Sequence, residues 1–251
     1  MNRRHWLMGA MATVAAGLSA CGEAGSRLAA QAGRMAEGLT RRAQRLLIPA
    51  DALAPTYDRS EISPDFRPNG SISPAASDYV ALREGSFAAY RLAVDGLVER
   101  PLSLSLIELR ARPSRTQITK HDCVEGWTAI AEWTGVRLET LLDEAGLKPE
   151  ARFIVFHCFD ALDQREDGDR YYESIDLVDA RHPQTILAWA MNGETLPVPH
   201  GAPLRLRVER QLGYKHAKYI KRIEAVASLD GIGGGKGGYW EDRGYEWFAA
   251  I

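Results

Sequence analysis

The sequence is poor in cysteine and shows no internal repeat, no low-complexity tract and no strong excess of charge. Its 251 residues include 3 cysteines, too few for a disulfide-rich fold or a four-thiolate iron–sulfur cluster. Haem-attachment motifs and flavin fingerprints are missing as well. The formal net charge of -2 argues against a nucleic-acid-binding surface or a strongly cationic membrane face. We therefore expect a small-molecule substrate and no nucleic-acid partner.

The N-terminus has the pattern of an export signal. Arg3 and Arg4 precede an uncharged stretch, Leu7 to Ala20, that is too short to span a bilayer. The arginine pair and the moderate hydrophobicity indicate the twin-arginine route, which exports folded proteins, although an ordinary secretory signal with a chance arginine pair is the alternative. The sequence therefore predicts a signal peptide at residues 1–20 and a periplasmic protein.

Leu18-Ser19-Ala20-Cys21 has the small-residue pattern of a bacterial lipobox, with cleavage near Ala20 without lipidation as the alternative. A lipid on Cys21 would be the protein's only attachment to a membrane. Residues 21–59 are interpreted as a tether or linker: Gly22 to Ile48 is rich in Ala and Arg, and Pro49 to Ser77 contains five prolines and predicts an extended arm. The folded domain is predicted over residues 60–251.

Within this domain, helix and strand patterns follow each other without a regular βα rhythm. The composition of the whole chain, 45% hydrophobic and 25% charged, allows a sizeable core. The class predicted is α+β with a mixed sheet. The expected elements are a strand over Tyr90–Val94 with a turn at Asp95-Gly96 and a return over Leu97–Arg100, a helix opened by the Ser105–Glu108 capping box, a helix over Arg137–Ala145 ended by Gly146, a strand over Phe153–Cys158, a hairpin of Ile186–Met191 and Glu194–Leu196 around Asn192-Gly193, and a strand over Leu204–Glu209 with one apolar and one polar face.

Cys123, in the run His121-Asp122-Cys123-Val124-Glu125-Gly126-Trp127, is the first candidate site residue. A thiolate is a good ligand for a soft or high-valent metal. Three other readings stay open: a small buried apolar residue, a disulfide with Cys158 in an oxidising compartment, and a zinc site made with His121, His157 and Cys158. The spacings of this last set do not match usual zinc pairs.

A second candidate is the segment Gly213-Tyr214-Lys215-His216-Ala217-Lys218, with Lys221 and Arg222 behind it. A glycine turn backed by lysines can cradle a phosphate or another anion, and Arg205 on the preceding strand could make a bidentate contact with the same anion. A solvated lysine-rich loop is the alternative.

Four stretches together resemble the sulfite oxidase-like molybdopterin oxidoreductases: HDCVEGW, HPQTILAWAMNGETLPVPHGAPLRL from His182 to Leu206, GYKHAKYIKRIE from Gly213 to Glu224, and the tail GGYWEDRGYEWFAAI. They occur in the family's order, with compatible separations, over roughly residue 60 to the end. The resemblance implies a molybdopterin-binding domain that carries molybdenum.

The resemblance also implies roles for individual residues. Cys123 would be the protein ligand to molybdenum, and His200 and Arg205 would contact the pterin and its phosphate. His216, Ala217 and Lys218 match the loop that holds this phosphate. Asn69, in the segment Phe66-Arg67-Pro68-Asn69-Gly70, would contact the pterin, and Cys158 would line the site as a neutral thiol.

Glu125 follows the ligand closely and is expected to accept or deliver protons during oxo transfer; a carboxylate that only pairs with a nearby arginine is the alternative. Tyr214, Tyr239, Trp240 and Tyr245 are expected to pack the domain. Animal and plant sulfite oxidases add an immunoglobulin-like dimerisation domain, and some add a haem domain. This sequence shows neither, and it lacks a basic cluster around Cys123. The resemblance is therefore closer to the single-domain periplasmic branch that includes the methionine sulfoxide reductase catalytic subunit.

These implications lead to one functional expectation. The protein would be a molybdopterin-dependent oxidoreductase that transfers an oxo group at a cysteine-ligated molybdenum, in the direction of S-oxide or N-oxide reduction. Its electrons would come from an external partner, either a membrane haem protein or a cytochrome c, and the twin-arginine machinery would export it. Sulfite-type oxidation at the same centre and a cofactor-free anion-binding lipoprotein are the alternatives.

Overall fold

The computed structural model describes residues 48–163, 165–166 and 168–251. The predicted signal peptide, the lipobox and residues 21–47 of the predicted tether lie outside the described residues. The chain divides into two units, Met1–Pro49 and Ala50–Ile251, and the second unit contains every element named below. Among the described residues, every helix is too short or too polar to cross a bilayer.

In the described part of the chain, ten strands form two five-stranded sheets. The first sheet is mixed and has the order β2-β1-β10-β5-β6, in which β1 and β10 are parallel and the other pairs are antiparallel. Its strands are β1 (Arg91–Gly96), β2 (Leu102–Ser105), β5 (Phe153–Ala161), β6 (Arg170–Asp176) and β10 (Ile220–Val226).

The second sheet is antiparallel and has the order β3-β4-β7-β8, with β9 also paired to β7, at Ile186 to Ala188. Its strands are β3 (Ser114–Asp122), β4 (Thr128–Arg137), β7 (Ile186–Met191), β8 (Glu194–Thr195) and β9 (Arg205–Arg207). The long β3–β4 hairpin carries the predicted metal ligand at its tip, and β9 carries the predicted anion-binding arginine.

The described residues contain four short α-helices: α1 (Ser77–Glu84), which precedes β1, and three that connect strands, α2 (Leu106–Arg110), α3 (Leu138–Ala145) and α4 (Leu177–Ala180). The predicted capping box is confirmed at α2, where the Ser105 side chain accepts a hydrogen bond from Glu108 N and the Glu108 side chain accepts one from Ser105 N. Helix α3 ends, as predicted, before Gly146, which has a φ of 71°.

The α+β class with a mixed sheet is confirmed. The larger core cluster joins the first sheet to α3 and includes Leu92, Leu141, Phe156 and Ile223. The smaller cluster lies beside the second sheet and includes Phe66 and Trp133. The hairpin around Asn192-Gly193 is also confirmed, with φ values of 53° and 81° that suit a tight two-residue turn.

One local prediction, the turn at Asp95-Gly96 with its return strand, is wrong. Asp95 and Gly96 continue β1, because each pairs with a residue of β10, and the return strand is Leu102–Ser105. The alternation predicted around β9 is confirmed, and its polar face is buried: Arg205, Arg207 and Glu209 are almost as buried as Leu206 and Val208 between them. Polar side chains held in a protein interior need partners there, so this face is where a site can be sought.

Candidate functional site

A cavity of about 160 Å³ opens beside the tip of the β3–β4 hairpin, the loop before β10 and the C-terminal tail. Among the predicted site residues, Asn69, Cys123, Glu125, His216 and Lys218 line it. Two separate stretches of sequence, the hairpin tip and the loop before β10, thus meet at one cavity as predicted.

Cys123 is fixed by the turn that joins β3 to β4. Its N–H donates to the carbonyl of Trp127 at 2.9 Å, and its own carbonyl accepts from the N–H of Gly126 at 2.9 Å. The side chain is 8% exposed, and burial raises the pKa of the thiol, opposed by a backbone hydrogen bond from Glu125. A buried thiol is neutral unless a cation stabilises its thiolate, and a bound metal ion does so directly.

Arg205 is a buried cation with unused hydrogen-bonding capacity. It is fully buried on β9, donates to the carbonyl of His200 at 3.1 Å, and reaches Asn69 Oδ1 at 3.5 Å. Its Nε has no partner, and no carboxylate of the described residues forms an ion pair with it. Burial, and next the charge of Arg207, lower its pKa to about 9. An unpaired guanidinium in this position favours binding of an anion.

Arg207, on the same face of β9, is fully paired. It forms a bidentate ion pair with Glu209, with Nε 2.9 Å from Oε1 and Nη2 2.5 Å from Oε2. Its Nη1 lies 3.0 Å from His121 Nδ1. The two guanidinium groups lie over the ring of Trp133, at 5.0 Å for Arg205 and 4.4 Å for Arg207. Both arginines therefore contact the same Trp133 ring, but in the described structure only Arg207 has a carboxylate partner.

Lys218 and His216 bring polar groups to the cavity wall. Lys218 Nζ donates to the carbonyls of Asn69 at 2.6 Å, Pro199 at 2.9 Å and Ser71, and burial followed by the charge of Arg205 lowers its pKa to about 7. His216 Nε2–H donates to the carbonyl of Gln211 at 3.0 Å, so Nδ1 is an acceptor, and it has no partner among the described residues. Burial lowers the pKa of His216 well below its usual value. His216 thus offers a neutral acceptor to a bound ligand.

His200 is half-buried and lies near the site without lining the cavity. Its ring packs edge-on against Phe66 with 5.5 Å between centroids, and its Nδ1 has no partner among the described residues. Burial, and then the charge of Arg205, lower its pKa to about 4.

Two predicted residues lie behind the cavity wall. Ala217 is buried, and its carbonyl accepts from the N–H of Leu206 at 2.8 Å, which ties the loop to β9. Cys158 pairs with Ile220 across the first sheet and packs in the larger core cluster, where burial raises its thiol pKa well above the usual value. The thiol is neutral as predicted, but it does not line the cavity; Asp160, two residues further along β5, does.

The predicted lysine-rich cradle is only partly correct. Of its cations, Lys218 lines the cavity, whereas Lys221 pairs with Asp78 at 2.6 Å and Arg222 pairs with Asp95 at 2.9 Å. Lys215 is directed into the protein, where its ammonium contacts two buried carboxylates. The three pairs satisfy these charges, so they are not available to an anion in the cavity.

Sequence reasoning missed Asp160 and an aromatic wall. Asp160 is 3% exposed, its Oδ1 has no partner, and burial raises its pKa to about 7 against the opposing charge of Lys218. Tyr214, Trp240 and Tyr245, expected to pack the domain, line the cavity: Trp240 and Tyr245 stack at 5.1 Å, and Tyr214 meets Tyr245 edge-on at 5.2 Å. The tail motif marked these aromatic residues, but only long-range packing shows which face they present.

Glu125 lines the mouth of the cavity, with 49% of its side chain exposed. Its Oε2 accepts from Trp127 Nε1 at 3.0 Å and lies 3.9 Å from Arg67 Nη2. Both readings of this residue thus find support, because the carboxylate faces the cavity and also has an arginine nearby.

The disulfide and zinc readings of Cys123 do not agree with the structure. Cys123 and Cys158 are both free thiols. His157 Nε2 lies 2.9 Å from a carboxylate oxygen of Glu224, and the described part of the chain has no cluster of three His, Cys, Asp or Glu side chains arranged to hold a metal ion. A metal at Cys123 would therefore need ligands from outside the protein.

Comparisons with known proteins agree with this geometry. Residues 80–230 match the family described as oxidoreductase molybdopterin binding domain. The chain is 40% identical over 205 residues to the "Putative protein-methionine-sulfoxide reductase subunit YedZ1" of Azospira oryzae, covering 82% of this chain and 71% of that protein. It is 32% identical to the protein-methionine-sulfoxide reductase catalytic subunit MsrP of Campylobacter jejuni, over 54% of this chain and 48% of that protein.

The chain therefore spans about half the length of this MsrP relative. Among solved structures, the sulfane dehydrogenase SoxCD of Paracoccus pantotrophus is similar, with a TM-score of 0.50 and 28% identity over 56% of this chain and 39% of that one.

The residues at the cavity fit the cofactor that this family carries. Arg205 Nε, His216 Nδ1, Ser71 Oγ and Asp160 Oδ1 are buried polar atoms without partners in the described structure, and such atoms are costly unless a ligand satisfies them. A guanidinium suits a phosphate, a carboxylate and a neutral imidazole suit the N–H groups of a pterin, and a thiol suits molybdenum. The chain belongs to the molybdopterin-binding oxidoreductases, in the sulfite oxidase-like branch that includes MsrP, and its cofactor is molybdenum held by molybdopterin.

Proposed function

We propose that this protein reduces S-oxides of the methionine sulfoxide type, with Cys123 as the protein ligand to molybdenum and with electrons from an external redox protein. The observation that carries the proposal is the position of the Cys123 thiol in the wall of a cavity that also holds the unpartnered polar atoms of Ser71, Asp160 and His216. The names of the relatives, which specify protein-methionine-sulfoxide reductases, support this choice of substrate.

The residues of the cavity divide into two groups. Arg205, Asp160, His216 and the segment at Asn69 would hold the cofactor by its phosphate and its ring N–H groups. Lys218 uses its hydrogen-bond donors on backbone carbonyls, so it supports this segment and supplies positive charge without a direct bond. The bound cofactor would supply oxygen-atom transfer and two-electron chemistry.

The outer part of the cavity fits an uncharged sulfoxide better than a sulfite dianion. Its wall is built of Tyr214, Trp240 and Tyr245, which suit the apolar groups on either side of a sulfoxide sulfur. Glu125 lies at its mouth, and a carboxylate there repels a dianion. These features favour reduction of an S-oxide over sulfite oxidation.

Glu125 is the residue proposed to move protons. Reduction of a sulfoxide to a thioether takes two electrons and two protons and releases one water molecule. The Glu125 carboxylate is half-exposed, so it can exchange protons with solvent, and the Trp127 Nε1–H bond directs it along the mouth of the cavity. Arg67, at 3.9 Å, is its other neighbour.

We also propose that the protein acts in the periplasm, exported by the twin-arginine route and anchored by a lipid on Cys21. The arginine pair Arg3-Arg4 and the Leu18–Cys21 lipobox support this location. The electron donor would be a membrane haem protein or a cytochrome c. Fractionation of cells that express the full chain tests the anchor: wild type should be in the membrane fraction and Cys21→Ala in the soluble periplasm.

The activity is tested with protein from a molybdenum-replete host, using a reduced viologen dye as donor. Wild type should contain about one molybdenum and one pterin per chain and should oxidise the dye when methionine sulfoxide is added. Cys123→Ala should lose molybdenum and activity, and Cys158→Ala, which removes the other buried thiol, should keep both. Glu125→Gln should keep molybdenum and lower the turnover rate.

Two results would contradict the proposal. Turnover of sulfite with an electron acceptor, in the absence of any sulfoxide reduction, would favour the oxidation reading. Molybdenum retained by Cys123→Ala, and lost from Cys158→Ala, would place the ligand elsewhere.

A further inference from the structure

Lys215, Glu173 and Glu241 form a buried charged triad that the cofactor site does not use. Lys215 Nζ lies 2.5 Å from Oε1 of Glu173 and 2.5 Å from Oε1 of Glu241, and the three side chains are at most 1% exposed. Groups so far from water hold a fixed geometry, because any displacement leaves a buried charge unpaired. The triad is therefore a rigid junction of three segments: β6, the loop before β10 and the C-terminal tail.

The junction is adjacent in sequence to the aromatic wall of the cavity. Lys215 follows Tyr214, and Glu241 follows Trp240. Further contacts add to it: Tyr214 Oη donates to the carbonyl of Glu246 at 2.6 Å, and the Trp240 ring stacks on Tyr245. Tyr214 and Trp240, at the two ends of the wall, are thus held by their chain neighbours Lys215 and Glu241, which form an ion pair with each other.

The charges of the triad balance only if it keeps one proton. Oε2 of Glu173 and Oε2 of Glu241 have no other partner among the described residues, and a proton shared between them would satisfy both. Burial, and next the neighbouring Glu241 charge, raise the pKa of Glu173 well above its usual value. A neutral amide at position 173 can therefore replace the carboxyl group with little change in geometry.

Gly238 completes the junction. A Cβ atom at this position would lie 1.9 Å from Oε2 of Glu241 and 2.8 Å from Oε1 of Glu173, so any other residue pushes the carboxylates apart. Gly238 gives a second way to disturb the triad that removes none of its charges.

We propose that Lys215, Glu173 and Glu241 are positioning residues for substrate recognition: they hold Tyr214 and Trp240 in the cavity wall and thereby set the KM for sulfoxides with large apolar groups. This inference rests on the proposed sulfoxide reduction. The three side chains do not line the cavity, so their loss should change recognition of the substrate and leave the loaded metal centre in place.

The experiment compares methyl phenyl sulfoxide, which can contact the aromatic wall, with dimethyl sulfoxide, which is much smaller. In holoenzyme with Lys215→Met or Gly238→Ala, the KM for methyl phenyl sulfoxide should rise about three- to tenfold, the range expected for loss of one aromatic contact. The kcat, the KM for dimethyl sulfoxide and the molybdenum content should stay within about twofold of wild type. Glu173→Gln should retain the wild-type KM values, kcat and molybdenum content.

Gly238→Ala keeps every charge, so it serves as the test if Lys215→Met fails to fold. Equal rises in KM for the two sulfoxides, or loss of molybdenum from the folded variants, would overturn the positioning role. So would wild-type KM values in both Lys215→Met and Gly238→Ala.

The positioning of the wall is also measured without turnover. Stacking of Trp240 on Tyr245 should give a near-ultraviolet circular dichroism signal that is present in wild type and in Glu173→Gln and is reduced in Gly238→Ala and in Trp240→Leu. If wild type reduces no sulfoxide, the proposed function fails, and this signal alone decides whether the triad holds the wall.

Discussion

Arg205 and Arg207 should respond in opposite ways to the same substitution. Both are fully buried on β9 and lie over Trp133, but Arg207 has the carboxylate of Glu209 and Arg205 has no such partner in the described structure. Replacement by methionine keeps much of the side-chain volume and removes the charge. Because the strand, the Trp133 ring beneath the two guanidinium groups and the substitution are the same, the comparison isolates the effect of the carboxylate partner.

The expected effect at Arg205 follows from its environment. Burial holds its pKa at about 9, and the distance from its ordinary value corresponds to about 5 kcal/mol of unfavourable charge burial, at about 1.4 kcal/mol per tenfold change. Loss of the hydrogen bond to His200 and of the contact with Trp133 offsets about 2–4 kcal/mol of this gain. Arg205→Met should therefore stabilise the cofactor-free protein by about 1–3 kcal/mol.

At Arg207 the sign is reversed. Its removal leaves Glu209, which is 4% exposed, with Gln117 Nε2 at 2.8 Å as its remaining side-chain donor. An unpaired buried carboxylate of this kind costs about 3–5 kcal/mol. Arg207→Met should therefore destabilise the protein by that amount.

Two measurements check this pair. Urea unfolding of protein made in a host without cofactor synthesis gives the free energies of unfolding, and pterin fluorescence of protein made in a replete host gives the cofactor content. Arg205→Met should be the more stable protein without cofactor and should retain less than about a tenth of the wild-type pterin, because charge-assisted bonds to a phosphate contribute about 1.5–3 kcal/mol each. Equal destabilisation by the two substitutions, or full pterin content in Arg205→Met, would refute the assignment of Arg205 to an anion.

Three further predictions concern one residue at the site and two elsewhere in the fold. Gly213→Ala should lower molybdenum content, measured by metal analysis, because its Cβ would lie 2.5 Å from His121 Nε2 and displace the strand that leads to Cys123; wild-type content would contradict this. Burial lowers the pKa of His182 to about 4, so between pH 4 and its ordinary value near 6.5 the unfolded chain binds the extra proton and stability falls as the pH falls. His182→Gln should reduce that slope in urea titrations by up to about 1.4 kcal/mol per pH unit, and an unchanged slope would show that His182 does not titrate on unfolding. Ser105→Ala should lower the free energy of unfolding by about 1 kcal/mol through loss of the α2 cap, and Ser105→Thr should recover most of it.

The elements that could be predicted from sequence are those fixed by their own residues. Ser105 and Glu108 are three apart and satisfy each other's backbone groups, and Asn192-Gly193 consists of the two residue types that most readily adopt the positive φ values of its turn. The turn expected at Asp95-Gly96 failed because this signal competes with a long-range pairing: both residues lie in register with β10, more than a hundred residues away. No local pattern contains the parallel partner, so the stronger constraint was invisible.

The same distinction separates the parts of the site that could be predicted from those that could not. The sequence motifs singled out Cys123, His216 and Lys218, which line one cavity in the structure, because these motifs report residue type and order. They could not show which cations are already neutralised. Lys215 and Lys218 are three residues apart in one motif, yet Lys215 meets two carboxylates and Lys218 meets three carbonyls.

A buried basic residue is thus available to a ligand when no carboxylate of the protein forms an ion pair with it. On β9, Arg207 is paired with Glu209, two residues further on. Arg205, on the same face, has no carboxylate partner among the described residues, and its Nε makes no hydrogen bond there. Buried carboxylates neutralise Arg207 and Lys215, whereas Arg205 and Lys218 form no ion pair within the described part of the chain. In this protein the buried acidic residues determine which arginine is left to bind an anion. Removing Glu209 should therefore weaken the specificity of the site for its cofactor, because a second unpaired guanidinium, that of Arg207, would lie over Trp133.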